Sequence, residues 1–207
     1  MKILHYETGP IYVNTYVVYD EETKDCFIVD PGGYRQEITD KIKELGLKPE
    51  YIILTHGHSD HIGGIDRFRK EFPEIKVVAN RNEEELLGDA YKNGSADMLR
   101  NPMAVTADIL VDDMDTMKIG NMELLFIFTP GHTPGGQSIL VDGHLFAGDT
   151  LFRFSVGRTD FWGGSFPQLK KSIVEKLFTL PNDTVVLPGH MGFTTIGEEK
   201  KYNPFVI

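Results

Sequence analysis

The sequence predicts an α/β protein in which two layered β-sheets carry helices on their outer faces. Runs of β-branched and apolar residues alternate with segments of helical apolar spacing in both halves of the chain. Most of the strand-like runs end in a glycine-containing turn that is followed by histidine or aspartate. The length of 207 residues is ample for a buried core. We therefore expect one domain over residues 1–207, with its reactive side chains at the strand ends.

Composition and charge favour a soluble acidic protein, with 41% hydrophobic and 25% charged residues. No apolar stretch approaches the ~20 residues of a membrane span, and the first residues lack the apolar core of a signal peptide. One cysteine excludes an internal disulfide and agrees with a reducing compartment. The formal net charge of −10 disfavours general nucleic-acid binding. We expect a cytoplasmic protein that binds neither nucleic acid nor membrane.

The first half of the chain predicts strands over residues 12–19, 25–29, 51–54 and 75–79, and helices over 34–45, from about Asp60, and over 81–91. The first two strands form a hairpin around an acidic turn. Gly46 ends the first helix, as glycine commonly does after a helix C-terminus. The weak periodicity of residues 98–108 predicts a mobile or covering segment.

The second half predicts strands over residues 122–128, 138–141, 144–147 and 185–187, and a helix over 166–178. The dipeptide Asp142-Gly143 is a strong hairpin signal between two of these strands. Residues 151–164 are irregular and rich in glycine. The tail from Met191 is short and polar, apart from its last three residues.

Four potential metal ligands lie within six residues directly after the apolar run 51–54: His56, His58, Asp60 and His61. Three imidazoles and a carboxylate that close together are costly to hold without a cation among them. Helix N-termini disfavour clustered cations, which argues against a mere histidine-rich surface turn. The pattern therefore predicts a metal site at the end of a buried strand.

Three further residues extend this set, because each also follows a strand-like run: His132, Asp149 and His190. Seven such ligands suit two metal ions that share one carboxylate. Neutral imidazole with carboxylate favours Zn²⁺, and Fe and Mn are also compatible. His5 and His144 lie within strand-like runs, and we expect structural roles for both.

Two further polar or reactive side chains lie at the end of a predicted strand or inside it. Asp30 ends a predicted strand, and it either fixes a ligand histidine or only stabilises its turn. Cys26 lies inside a strand without a neighbouring His or Lys, so we predict a small buried hydrophobe rather than a reactive thiol.

The ligand pattern resembles that of the metallo-β-lactamase superfamily over essentially the whole chain. The resemblance implies an αββα sandwich of two mixed β-sheets, with the site at one edge. It assigns His56, His58 and His132 to the first metal, and Asp60, His61 and His190 to the second. Asp149 would then bridge the two ions.

Three further motifs resemble the glyoxalase II-like hydrolases, especially their short single-domain type: residues 148–152 (GDTLF), 157–160 (GRTD) and 194–198 (TTIGE). That resemblance implies hydrolysis of S-lactoylglutathione or a related thioester. Two cations would lower the pKa of a bridging water from ~16 to near 7 and so provide hydroxide. A thiol of pKa near ~8.5 leaves as thiolate without a strong general acid. Asp60 and Asp149 are the expected catalytic residues, with Asp60 also orienting the water.

Arg158 is the predicted contact for an anionic thiol carrier, since guanidinium binds carboxylate bidentately. An internal ion pair with Asp160 is the alternative interpretation. Arg153 is a second candidate for the same role. Phe161 and Trp162 either line the pocket or cover the edge of the core.

Two other functions remain open. Persulfide dioxygenases share the fold and a stretch similar to residues 157–161, and they use one iron held by residues that correspond to His56, His132 and Asp149. A non-catalytic, metal-stabilised scaffold is the third alternative. A β-lactamase is disfavoured by the absence of a signal peptide, and a nuclease by the acidic charge.

Overall fold

The first of two six-stranded sheets contains, in spatial order, β1 (Lys2–Thr8), β2 (Val13–Tyr19), β3 (Asp25–Val29), β4 (Lys48–Ile53), β5 (Lys76–Asn80) and β6 (Ile109–Val111). The computed structural model describes residues 1–206. β1, β2 and β3 pair antiparallel, and β3 to β6 pair parallel, so the sheet is mixed.

The second sheet contains, in spatial order, β7 (Thr116–Ile119), β8 (Met122–Phe128), β9 (Gln137–Val141), β10 (His144–Gly148), β13 (Val185–Pro188) and β14 (Thr194–Thr195). Only the β10–β13 pair of this sheet is parallel in the described chain. A small separate hairpin joins β11 (Leu151–Phe152) to β12 (Ser155–Val156).

Six α-helices accompany the sheets over residues 1–206: α1 (Gln36–Glu44), α2 (Ser59–Ile62), α3 (Ile65–Glu71), α4 (Glu84–Leu87), α5 (Phe166–Glu175) and α6 (Ile196–Tyr202). Single 3₁₀ turns lie at Arg81–Glu83 and Leu177–Thr179. No helix within this described part is both long enough and apolar enough to cross a bilayer.

Three buried apolar clusters define the layers. Phe27 of the first sheet packs with Phe126 and Phe146 of the second, and this cluster lies between the sheets. A second cluster packs the other face of the first sheet against α1 and α3, and a third packs the second sheet against α5. The αββα sandwich predicted from the sequence is confirmed.

Several predicted elements differ in extent. The helix predicted from Asp60 is two short helices, because the N–H of Gly64 donates to the carbonyl oxygen of Pro31 at 2.7 Å instead of continuing the first helix. The backbone at Gly63 and Gly64 approaches this turn too closely for side chains. The helix predicted over 81–91 is wrong beyond residue 87, where turns begin. The tail from Met191, predicted to be merely short and polar, contains β14 and α6.

Candidate metal centre

The seven candidate ligands converge at one edge of the sandwich. β8, β10 and β13 run in the same direction, so their carboxyl ends share that edge. The loop after β4 and the start of α2 meet them from the first sheet. In chain order the side chains brought together are His56, His58, Asp60, His61, His132, Asp149 and His190.

Three buried histidines form the first group. Nδ1 of His58 lies 2.8 Å from Nε2 of His132, which lies 3.2 Å from Nε2 of His56. On the far side of its ring, His132 donates from Nδ1 to the carbonyl oxygen of Arg158 at 2.6 Å. When His132 is neutral, its Nε2 therefore carries a lone pair, which faces Nδ1 of His58 and Nε2 of His56.

The proton on His56 is fixed in a similar way. Oγ1 of Thr55 donates to Oδ2 of Asp30 at 2.5 Å, so it accepts from Nδ1 of His56 at 3.1 Å. Burial, together with the neighbouring histidines, lowers the pKa of His56, and burial also lowers the pKa of His132. Both rings are thus neutral at pH 7, and two lone pairs face each other. A cation between them removes that repulsion.

The second group joins one carboxylate to two imidazoles. Oδ2 of Asp60 lies 3.1 Å from Nε2 of His190 and 3.4 Å from Nε2 of His61. Nδ1 of His61 donates to Oδ2 of Asp30 at 2.9 Å. Asp30 therefore fixes a candidate ligand histidine, which is one of the two roles considered for it, and it leaves Nε2 of His61 to face the carboxylates.

Asp149 lies between the two groups. Its carboxylate oxygens lie 3.4 Å from Nε2 of His61, 3.6 Å from Nε2 of His132 and 3.8 Å from Nε2 of His190. Burial alone would raise the pKa of Asp149, but the facing histidines outweigh it and lower that pKa. The residue is a carboxylate at neutral pH, and it faces histidines of both groups.

Unpaired buried atoms show that the donor set fits metal ions. Nε2 of His61 and Oδ1 of Asp149 are buried and lie 3.4 Å apart without a well-aligned hydrogen bond between them. Burial lowers the pKa of His61, but the carboxylates of Asp60, Asp149 and Asp30 outweigh burial and raise it well above its ordinary value. These carboxylates thus favour a positive charge at His61, which is a proton when no metal is bound. Nitrogen and oxygen donors of this kind suit Zn²⁺, Fe or Mn.

Glu83 connects the two loops that carry His56, His58 and His132. The sequence motifs do not predict this role. Its side chain is buried, and its two oxygens accept the backbone N–H of Gly57 at 2.8 Å and of Gly135 at 2.7 Å. Gly57 lies between His56 and His58, and Gly135 lies three residues after His132. Burial raises the pKa of Glu83 to about 7, against the opposing effect of these N–H groups.

A second set of contacts holds the loop that carries His190. Asn14 donates from Nδ2 to the carbonyl oxygens of Pro188 at 3.0 Å and Met191 at 2.9 Å. The hydroxyl of Tyr16 donates to the same Pro188 oxygen at 2.7 Å. His5 completes this set through its contact with Oδ1 of Asn14 at 2.7 Å, a structural role. These residues lie in strands that carry no candidate ligand, so ligand spacing gave no signal for them.

Gly189 is required by close packing behind the ligands. A Cβ at this position would lie 2.3 Å from Oδ1 of Asp149 and 2.7 Å from Cε1 of His61. Both distances are shorter than non-bonded contacts allow, so a side chain here would displace the ligands.

The ligands open into a cavity of about 520 Å³, which Arg158, Phe161 and Trp162 also line. Arg158 donates from Nε and Nη2 to both oxygens of Asp160, each at 2.7 Å, and its guanidinium lies 3.9 Å from the centre of the Phe161 ring. The alternative of an internal ion pair is therefore observed. Arg153 lies over the Phe154 ring, outside the cavity lining among the described residues.

Cys26 and His144 have structural roles. Cys26 is fully buried, and burial raises the pKa of its thiol to about 12, which suits a small hydrophobe. His144 contacts the carbonyl oxygen of Asp142 at 2.8 Å in the β9–β10 turn.

Comparison with known proteins places this geometry in context. The family model described as "Metallo-beta-lactamase superfamily" matches residues 8–190. The probable metallo-hydrolase YqgX of Bacillus subtilis is 43% identical over 100% of this chain and 98% of its own. The hydroxyacylglutathione hydrolase GloC of Haemophilus influenzae is 33% identical over 93% of this chain and 92% of its own. The crystal structure of the BLEG-1 B3 metallo-beta-lactamase is 38% identical, covers 99% of both chains and gives a TM-score of 0.92.

Proposed function

The chain belongs to the metallo-β-lactamase superfamily, and we propose that it hydrolyses a small thioester with two divalent cations. The position of Asp149 carries the proposal, because this carboxylate lies within 3.4–3.8 Å of histidines from both three-ligand groups. A single shared carboxylate between two groups is the arrangement that a dinuclear centre needs.

The assignment of ligands follows the two groups. We assign His56, His58 and His132 to one ion and Asp60, His61 and His190 to the other, with Asp149 shared. Zn²⁺ is the proposed metal, and the same donors suit Fe or Mn. When bound, the ions supply a water-derived nucleophile at neutral pH and stabilise the oxyanion of the attacked carbonyl.

The side chains of this protein orient the candidate ligands and the attacking water. Asp60 and Asp149 are the proposed catalytic carboxylates, and Asp60 is placed to accept a hydrogen bond from the attacking water. Asp30, through His61 and Thr55, fixes the ring orientations of two ligands. A thiolate leaving group needs no strong acid, which agrees with a site whose ionisable groups are mostly committed to the ions.

Hydroxyacylglutathione thioesters are the first substrates to test. The similarity to GloC supports this class of substrate, because that relative is named as a hydroxyacylglutathione hydrolase. Contact between Arg158 and an anionic group of the substrate stays a prediction, because the guanidinium would have to exchange Asp160 for that group.

A persulfide dioxygenase is the second candidate. Nε2 of His132 lies near both Nε2 of His56 and a carboxylate oxygen of Asp149, and two imidazoles with one carboxylate suit a single non-haem iron. The second group of Asp60, His61 and His190 favours the hydrolase, because a single iron at the first group would leave these three side chains without a metal to bind.

The test is a substrate panel on protein reconstituted separately with Zn, Fe and Mn. S-lactoylglutathione stands at its centre, with a β-lactam and glutathione persulfide as comparisons. Thioester hydrolysis with release of free thiol supports the proposal. Oxygen consumption on the persulfide with iron alone, and no thioester hydrolysis with any metal, would refute it.

A further inference from the structure

Exposed apolar side chains gather at the mouth of the cavity. Of the 13 large apolar side chains that are exposed within residues 1–206, five line this cavity. We call these five the apolar collar: Ile11, Tyr91, Met98, Trp162 and Met191. Their exposed fractions run from 40% for Trp162 to 73% for Tyr91. Exposed apolar groups concentrated at one opening commonly mark a binding site.

The apolar collar is assembled from four separate parts of the chain. They are the loop after β1, the segment after α4, the loop before α5 and the loop after β13. The cavity floor contains candidate ligands, including His58, Asp149 and His190. A substrate whose reacting carbonyl lies at these residues therefore has the apolar collar in the same cavity, within reach of its remote groups. The cavity volume of about 520 Å³ is in the range of small-molecule sites.

The two cations that line the cavity are already paired. Lys92 donates from Nζ to Glu85 at 2.5 Å and lies 4.7 Å from the centre of the Trp162 ring. Arg158 is held bidentately by Asp160 and lies over Phe161. Both cations thus pack on aromatic rings and are neutralised by acids, and Asp97 adds a further negative charge to the lining. An anionic substrate group would have to compete with these carboxylates.

Resting on the proposed hydrolase function, we propose that the thioester carries an apolar group, alkyl or aromatic, that packs in the apolar collar. Ions held by the candidate ligands would polarise the reacting carbonyl, and the collar removes the apolar group from water. Binding energy from that remote group is then available to position the carbonyl. A thioester of glutathione, with its two carboxylates, gains less from this surface than a neutral thioester with an alkyl chain.

The apolar group could be on the acyl side or on the thiol side, and the experiment separates them. Zinc-loaded protein is assayed with the acetyl and hexanoyl thioesters of N-acetylcysteamine, with the acetyl thioester of benzyl mercaptan, and with S-lactoylglutathione. We expect kcat/KM to be about tenfold or more higher for the better apolar substrate than for acetyl-N-acetylcysteamine, since each buried methylene contributes several-fold. S-lactoylglutathione should be poorer than that substrate.

Variants connect the preference to the apolar collar. Tyr91→Ala and Trp162→Ala should bring the ratio of kcat/KM values for apolar and acetyl substrates toward one. Tyr202→Ala removes an aromatic side chain whose exposure lies between those of Tyr91 and Trp162 and which is outside the cavity lining among the described residues, so it should leave the ratio unchanged. Both collar positions are partly solvated, so the truncations should not prevent folding, which circular dichroism would verify.

A binding measurement separates this inference from the proposed reaction. Trp162 is the only tryptophan, so its fluorescence reports on the apolar collar. The non-hydrolysable S-hexyl thioether of N-acetylcysteamine should change this emission, with affinity weakened by Tyr91→Ala. If no thioester is hydrolysed but the thioether binds in this way, the proposed hydrolase reaction is refuted, and the binding of an apolar group in the collar is supported. If neither binding nor turnover favours apolar groups, the inference is overturned.

Discussion

Nδ1 of His61 donates to Oδ2 of Asp30 at 2.9 Å, and this contact leaves the other ring nitrogen of His61 facing Asp60 and Asp149. The same Asp30 oxygen accepts the hydroxyl of Thr55, which in turn orients His56. One buried carboxylate thus determines the ring orientation of a ligand in each group. Its backbone lies at φ 46°, a conformation that Asp and Asn tolerate better than most residues.

Asp30→Asn should weaken metal binding about 10- to 100-fold, because the amide keeps the shape but has one acceptor oxygen for three donors, which are Nδ1 of His61 and both the hydroxyl and the backbone N–H of Thr55. Competition with a chelator measures the affinity directly. Asp25→Asn, at the start of the same strand, is the matched control and should leave the affinity unchanged. Equal affinities for Asp30→Asn and the wild type would show that Asp30 only stabilises its turn.

Glu83 should make stability depend on pH in a defined direction. Burial raises its folded pKa to about 7 from the ordinary 4.5, so the folded state binds the proton more tightly than the unfolded chain. This stabilisation is fully present below pH 4.5 and is lost as the pH rises through about 7. The free energy of unfolding of the wild type relative to Glu83→Gln should therefore fall by about 3 kcal/mol across that range. Urea titrations of both proteins at several pH values measure this difference, and a difference independent of pH would contradict the prediction.

Gly189→Ala should reduce turnover about 100-fold, because its Cβ would displace Asp149 and His61 and small misplacements of reacting groups are that costly. Gly192→Ala is the control in the same loop, where a Cβ meets no atom within 4 Å. Steady-state assays with metal content measured in parallel compare the two. Similar activity in both variants would mean that the site tolerates a shift of these ligands.

Metal removal should destabilise the fold. The facing lone pairs of His56 and His132 lose the cation between them, and folding is no longer coupled to metal binding. At free metal about 1,000 times Kd the loss is about 4 kcal/mol per site. Unfolding by urea before and after chelation measures it, and Zn²⁺ should restore the stability. Mg²⁺, which prefers oxygen ligands, should not; identical stability of the metal-free and metal-loaded proteins would exclude a metal between these groups.

The placement of the seven candidate ligands could be anticipated because each follows a strand-like run, and strand ends meet at sheet edges. Glu83 could not, because it contacts loops 26 and 52 residues away and its role depends on where α4 packs. Helix α6 has a signal in the sequence, since Thr195 and Glu198 have the spacing of an N-terminal capping box, and Oγ1 of Thr195 accepts the N–H of Glu198. The pairing of Arg158 could be stated only as an alternative, since an exposed side chain has many possible partners.

The central proposal is that two metal ions share Asp149. Titration of metal-free protein with Zn²⁺ tests this proposal most directly. Thioester hydrolysis is followed as zinc is added, with Asp149→Ala and His58→Ala in parallel. We predict that activity rises to a plateau at two equivalents of zinc and that both variants are inactive at every ratio. Full activity at one equivalent, or retained turnover in either variant, would contradict it.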